Sequence, residues 1–550
     1  MGITLSSESQ HINSTEQTKK PIRSIPDRIS SELLKKNFSQ IESYSLKTCF
    51  DSICTVSKNG IAHIDEESFV KYLSFTDNIG VGPLIFRSFS YLANYPSLDH
   101  TPTLLTFNGL VKAIAIYCDK TKNVIDEDYS KLLFESFATW EDDESCKEFL
   151  SLGKDTTTIT TIKLPKVKCQ DLIDVLTAIV WVTTCEMTTA NAESENFMEI
   201  LSNMISLKNI SQIRDAVTPI VYSISKPDTT FITWPKFKSF ICRNAPNMFR
   251  SWSSFFYGQF FIGQTLSRSH KDSIFFGPPV RSLPALDSKS DLLSPINMAI
   301  LSWMPLPDHA MNRRQWNRLY TSTKHGFSMS SFSANVFKYH GPTLMLINAV
   351  VTDDSIGNND ENDTILLGAY ISDPWSSSKA FGSDECLLFE IFPTYESFPA
   401  TNHNSNYVYY NTSFGIGFGG TDITRKTSRL DNKLSGSFML QLDNTLQNGT
   451  YRNDSLKGSR HAFKLSATRT YFDIPFEVLE IQVFGLGGET AKQRQESERI
   501  WEENLSRRKE FRQYNSNTMD KEMLKKGSWH SLIRFPDFSV KFKYLSLLLA

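Results

Sequence analysis

Metal-binding and redox signatures are missing from this chain. Its eight cysteines contain no Cys-x-x-Cys pair, and its ten histidines never form His-Glu-x-x-His. A zinc ribbon, a redox dithiol and a zincin-type protease therefore have no local support. Gly-x-Ser-x-Gly does not occur, which removes the usual sign of a serine hydrolase. Net charge is small, −2 from 58 Lys+Arg and 60 Asp+Glu, so there is no basic excess for broad nucleic-acid binding. The local basic stretches Arg313–Arg314 and Arg507–Arg508–Lys509 read as solvated faces. Long apolar runs are lacking too. The longest, VLTAIVWV (175–182), falls well short of the roughly 18–20 residues that cross a bilayer and reads as a core helix. The polar N-terminal region predicts no secretory signal.

What is present is core-forming material. The 550 residues are 40% hydrophobic and 12% aromatic, with 39 Phe. At roughly 100–200 residues per domain, two or three domains are expected. The scattered cysteines predict reduced, mostly buried thiols in the cytosol.

The first six residues, MGITLS, fit the Met-Gly-x-x-x-Ser/Thr pattern for N-myristoylation, with Gly2 as the acylated residue and Ser6 in the favoured position. A polar stretch follows, so residues 1–30 are expected to form a flexible tail. One myristoyl chain anchors only marginally. Lys19, Lys20, Arg23 and Arg28, or a membrane-resident partner, would supply the second attachment.

Residues 31–262 read as a helical domain. Leu34, Phe38 and Ile41, then Leu46, Phe50 and Ile53, recur at three- and four-residue steps, the spacing of one helix or two in tandem. Similar spacing marks 128–140, 169–184 and 194–205. Two loops in this half fit the frame of a degenerate EF-hand-like helix pair without being able to cage calcium. In 57–73, alignment on Gly60 puts Thr55 at the first ligand position and leaves Ile64 two places late. In 117–133, Asp119, Thr121 and Asn123 begin well, but Val124 replaces the turn glycine and Ser130 the closing acid.

Residues 263–289 are Ser- and Pro-rich without helical period and read as a linker. The texture then becomes β. The stretches 341–351, 364–372, 385–393 and 476–485 are short apolar or alternating runs bounded by turn formers. Within this half, Gly415-x-Gly417-x-x-Gly420 matches a dinucleotide-binding fingerprint, and Asp443 stands near the ribose position. The flanks speak against it. The residues after Gly420 have no helical period, and a second strand, FMLQLD, follows, so these glycines predict a strand packed closely on its neighbour. Glu385, Glu390, Glu477 and Glu480 lie in strand-like segments with no nucleophile or metal signature beside them, and are expected to line faces or hold hydrogen bonds. His325 and Gly326 read as a strand-to-turn corner. The charge-rich stretch 489–513 predicts a helix with a narrow apolar stripe of Ile500, Trp501 and Leu505, suited to self-docking or to a partner groove.

The ordered series RLYTSTKHGFSMSSF, GPTLMLINAV, LLGAYISDPW, FGSDECLLFEIFP, FGIGFGG, FMLQLDNTLQNGT and FEVLEIQVFGL resembles the TLDc domain, over residues 290–515, with 516–550 left as a tail. With the helical half, the MGITLS start and ITWPKFKSFICRNAPNMF (232–249), the whole chain resembles the fungal restriction of telomere capping protein 5 family. Turn regions at 352–363 and around 449–460 are expanded relative to that family. The resemblance implies an α+β multidomain protein, a helical domain followed by a two-sheet antiparallel β-sandwich with flanking helices. It also implies a non-enzymatic regulator, without cofactor or metal, that binds the vacuolar proton-pumping ATPase and promotes its disassembly. The implied location is the cytoplasm and, peripherally, the vacuole membrane. No direct nucleic-acid contact is expected, so any link to telomere capping would be indirect. The alternative from the same resemblance is an oxidation-resistance effector or enzyme.

Overall fold

Local capping chemistry sets the first elements. Helix α1 (Ile25–Lys36) and helix α2 (Gln40–Ile53) are separated at Ser39, whose hydroxyl accepts the Glu42 N–H while Glu42 accepts the Ser39 N–H. That reciprocal pair satisfies two of the donors a helix start leaves unbonded. The tandem-helix reading of this stretch is therefore the correct one. The computed structural model describes residues 25–73, 79–97, 104–139, 165–191, 207–262, 283–311, 315–352, 364–377, 380–420, 438–454 and 461–526. The expected acylation site Gly2, the tail before residue 25 and the helix predicted over 194–205 lie outside the described residues.

The helical half repeats one device. After α2, a ribbon of β1 (Thr55–Val56) and β2 (Ala62–His63) leads to α3 (Glu66–Leu73). Helices α4 (Gly82–Ala93) and α5 (Phe107–Tyr117) flank a second loop, and Ile64 bridges to Leu105 across the two loops. A second set has α6 (Tyr129–Ser136) and α7 (Cys169–Asn191) around β3 (Lys166–Lys168), and α8 (Leu207–Ile224) and α9 (Trp234–Asn244) around β4 (Phe231–Thr233). Strands β3 and β4 pair antiparallel through Val167 and Ile232. These are EF-hand-like helix pairs, but Ile64 bridges to Leu105 just before α5, and 117–133, expected as a second loop of this kind, only connects α5 to α6. Taking Ile64 as the bridging eighth position puts Ser57, Asn59 and Ile61 where the first ligands belong, and Ser68 where a bidentate acid is needed. Among the described residues no group of three or more His, Cys, Asp or Glu could hold a metal ion.

Helix α10 (Arg250–Tyr257), running into a π-helical turn at Gly258–Ile262, closes this half. Its Phe256 lies 4.5 Å, ring to ring, from Tyr117, which lies 4.5 Å from Phe89. The VLTAIVWV run sits on α7 with every residue buried, as a core helix should. No described helix is long and apolar enough to cross a membrane.

The second half is one hydrogen-bonded sheet of eleven strands. β5 (Ala285–Leu286) pairs parallel with β6 (Gln315–Thr321), so the sheet begins inside the stretch expected to be linker. Short helices α11 (Pro295–Leu301), α12 (Asp308–Met311), α13 (Ser322–His325) and α14 (Met329–Val336) fall around β6. Then come β7 (Thr343–Val351), β8 (Thr364–Ile371), β9 (Leu387–Phe392), β10 (Glu396–Pro399), β11 (Val408–Asn411), β12 (Gly415–Phe418), β13 (Leu440–Leu442), β14 (Asn448–Asp454) and β15 (Tyr471–Gly485). The strand order is β10-β9-β8-β7-β15-β14-β13-β12-β11. Strand β15 is the seam. Its first half pairs with β14, its second half with β6, and β7 runs along the other edge past a bulge between Val478 and Glu480. The two arms of the sheet enclose one core, so the sandwich forms by folding a continuous sheet about this bulged strand.

Strand β7 shows why its sequence reads as an unbroken apolar run. Met345, Ile347 and Ala349 point into the sandwich core, while Leu344 and Leu346 belong to the core of the helical half. Successive strand side chains face opposite ways, so a strand apolar on both faces must be covered on both. That second core runs without a break from Phe50 and Phe89 through Trp303 to Leu366, Phe389 and Tyr395.

Helix α15 (Gly488–Lys526) follows β15. Residues Gln493–Ala550 form a separate compact unit, whose described part is helical through Lys526 and keeps Ile500 and Trp501 exposed.

Candidate functional site

The glycine loop 415–420 is a strand edge. β11 and β12 form a hairpin that pairs Tyr409 with Gly417, and β12 pairs antiparallel with β13. Gly415 has φ +111°, and a Cβ there would lie 2.1 Å from the Leu442 carbonyl oxygen. A Cβ on Gly417 would lie 2.6 Å from the Phe438 ring. Close backbone approach explains both glycines. Asp443 accepts bonds from the Thr445 N–H (3.0 Å) and hydroxyl (2.7 Å), closing the β13–β14 turn.

The predicted glutamates separate. Glu477 is exposed on β15, and Glu385 is exposed with His309 Nε2 3.8 Å away. Glu480 accepts from the Thr321 hydroxyl (3.1 Å) and Gln482 (2.8 Å), tying β6 to β15. His325 closes the helical turn after β6, its Nδ1 accepting from the Thr321 N–H, and Gly326 follows with φ +73°. Glu390 is different. It is 1% exposed and stands directly across the β9–β10 hairpin from Glu396, equally buried.

Two carboxylates face to face inside a protein need a cation and donors. Arg469 supplies the cation from the loop before β15. Its Nη2 is 2.5 Å from Glu390 Oε2 and 3.4 Å from Glu396 Oε2, and its guanidinium lies over Phe472. Glu390 also accepts from the Tyr451 hydroxyl (3.0 Å) and the Thr394 N–H (3.1 Å). Glu396 accepts from the Ser466 hydroxyl and the Ala467 N–H, both at 2.7 Å. Burial pushes the Glu390 carboxyl up, opposed by Arg469 and Tyr451. Burial pulls the Arg469 pKa down, but Glu390 and Tyr451 outweigh it and the net shift is upward.

This cluster clamps the loop 466–469 onto the β9–β10 hairpin. The helical half adds bonds at the same hairpin: Tyr395 N–H to Ser223 Oγ (2.8 Å), and Ser397 N–H to Asn244 Oδ1 (3.1 Å). Between them opens a cleft of about 420 Å³, walled by the end of α8, by Lys236 of α9, and by Thr394, Thr468 and Arg469. Arg469 and Glu396 escaped sequence reading. Neither sits in a motif, and Arg469 is 79 residues from Glu390.

Burial disfavours the thiolate at Cys49, Cys118, Cys169 and Cys386. Burial pushes Cys49 up to about 11 and raises Cys118 and Cys386. Cys242 is the exposed one.

Residues 286–487 match the TLDc domain family, so the chain carries a TLDc domain. Over most of its length it is similar to fungal proteins named restriction of telomere capping protein 5. The one from Colletotrichum graminicola is 23% identical over 91% of this chain and 93% of the relative. Those from Fusarium vanettenii and Neurospora crassa are each 24% identical, over 89% and 85% of this chain and 91% and 88% of the relative. The likeness therefore takes in the helical half as well as the TLDc domain.

Proposed function

We propose that this TLDc-domain chain is a non-enzymatic regulator that docks on the vacuolar proton-pumping ATPase and promotes separation of its cytosolic sector from its membrane sector. The observation that carries the non-enzymatic part is the state of Glu390 and Glu396. Their oxygens are taken up by Arg469, Tyr451, Ser466 and backbone N–H groups, so this buried pair is not free to serve as acid and base. What this reading needs for function is a binding surface. A binder drives disassembly only by holding the separated sector more tightly than the joined one. An acyl chain on Gly2 would concentrate the protein at the vacuole membrane and turn that preference into an efficient local effect.

Tagged chain recovered from cross-linked vacuole membranes should carry subunits of the pump's cytosolic sector, and their absence would defeat this reading. Gly2→Ala should move the protein from the vacuole membrane to the soluble fraction. Unchanged membrane retention would remove the acyl tether from the account.

The rival, an oxidation-resistance effector, needs a low-pKa thiolate or a bound metal. The raised thiols of Cys49, Cys118 and Cys386 weigh against it. The relatives' name concerns telomere capping. With a net charge of −2, we read any such tie for this chain as indirect.

A further inference from the structure

The cleft where the two halves meet is lined by two buried polar atoms that have no hydrogen-bond partner. Ser225, on its wall, is 6% exposed, and its hydroxyl makes no hydrogen bond. The Nε of Arg469 is likewise buried and unbonded. Lys226 and Lys236 bring two exposed ammonium groups to the same cleft, while the Thr468 hydroxyl on its wall already donates to Glu396. Buried donors are ordinarily satisfied, so two at one cavity wall call for an acceptor that enters from outside.

The charges decide what kind of acceptor. Three cationic side chains reach the cleft, while the carboxylates of Glu390 and Glu396 lie behind Arg469 with their oxygens already engaged. Even with both carboxylates ionised, these five side chains sum to +1. The carboxyl end of α8 opposes an anion with roughly half an elementary charge, too little to cancel the two lysines. Arginine and lysine together favour phosphate oxygens, which accept several bonds each. A volume of about 420 Å³ holds a compact phosphorylated molecule but not a folded chain. The exposed ring of Tyr222 offers an apolar wall for the carbon skeleton.

We propose that this cleft is a binding site for a small phosphorylated polyol, held by Lys226, Lys236, Arg469 and Ser225 across the junction of the helical half and the TLDc domain. A ligand there touches both halves and ties them together. The site does not depend on the pump-binding reading and stands or falls apart from it.

The full-length protein is titrated calorimetrically with pyrophosphate and with inositol hexakisphosphate. Wild type should bind at least one saturably. Lys226→Glu combined with Lys236→Glu, both on exposed side chains, should weaken binding by about tenfold or more. Ser225→Ala should weaken it less. Arg507→Glu combined with Arg508→Glu, a charge reversal far along the chain on α15, should leave the affinity as in wild type. Two further arms identify the source of the phosphate. Flotation with phosphatidylcholine vesicles carrying phosphatidylinositol phosphate, lost in the double lysine variant, points to a lipid headgroup. Binding of the soluble polyphosphate without flotation points to a free metabolite. No saturable binding by wild type, or equal losses in the two double variants, overturns the proposal.

Discussion

Lys112 is a buried cation in the helical half, Arg469 a partly buried one in the other half, and their surroundings differ. Lys112 lies on α5, 2% exposed, and its ammonium donates to the Tyr95 carbonyl oxygen at 2.9 Å. Burial lowers its pKa to about 8, with Asp27 pulling the other way. Arg469 sits between two carboxylates and over an aromatic ring. A lone buried charge is a cost the fold carries, whereas a neutralised cluster becomes a fastener whose loss leaves its partners stranded. The same chemistry therefore weakens one half and locks the other.

Breaking the fastener should give the largest effect. Arg469→Met leaves Glu390 and Glu396 facing each other without a cation and should cost about 3–5 kcal/mol in chemical denaturation. Adding Glu390→Gln and Glu396→Gln to it should recover much of that loss. A cost below about 1 kcal/mol for the single variant would mean the cluster does not clamp.

The opposite sign is expected in the helical half. Lys112→Met should stabilise the protein by roughly 1–3 kcal/mol near neutral pH, read by the same denaturation. The pH dependence follows from the lowered pKa. The folded state releases the Lys112 proton at about pH 8 and the unfolded state only near 10.5, so wild-type stability should gain a rising component between those values. The Met variant should lack that component.

The smallest effect calibrates the other two. Arg452 and Asp473 face each other across β14 and β15 at 2.9 Å, their side chains 34% and 43% exposed. Arg452→Ala should change stability by less than about 1 kcal/mol. Burial, not the existence of an ion pair, then accounts for the spread among the three sites.

Much of the architecture was readable because its causes are local. The strands over 343–351, 364–371 and 387–392 follow from apolar runs bounded by turn formers, and the tandem helices α1 and α2 from apolar residues at three- and four-residue steps. The glycine loop could be refused as a nucleotide site because a strand, not a helix, follows it. Pairing of the loops was harder. The expectation of a second such loop at 117–133 failed because the backbone bridge runs from Ile64 to Leu105, positions forty-one apart by number, with no mark on either residue. The acylation expected at Gly2 lies outside the described residues.

Periodicity and turn residues were enough by themselves to establish a helical half followed by a β half, since each acts over a few residues of chain, and the ordered motifs carried the resemblance to the TLDc domain. Only the tertiary structure decided that β7 is buried on both faces, that β15 joins both arms of one sheet, and that Glu390, Glu396 and Arg469 meet beside a cleft walled by α8. The physical reason is that burial and charge neutralisation depend on which distant segments pack together, and a residue's type alone carries no record of its neighbours in space.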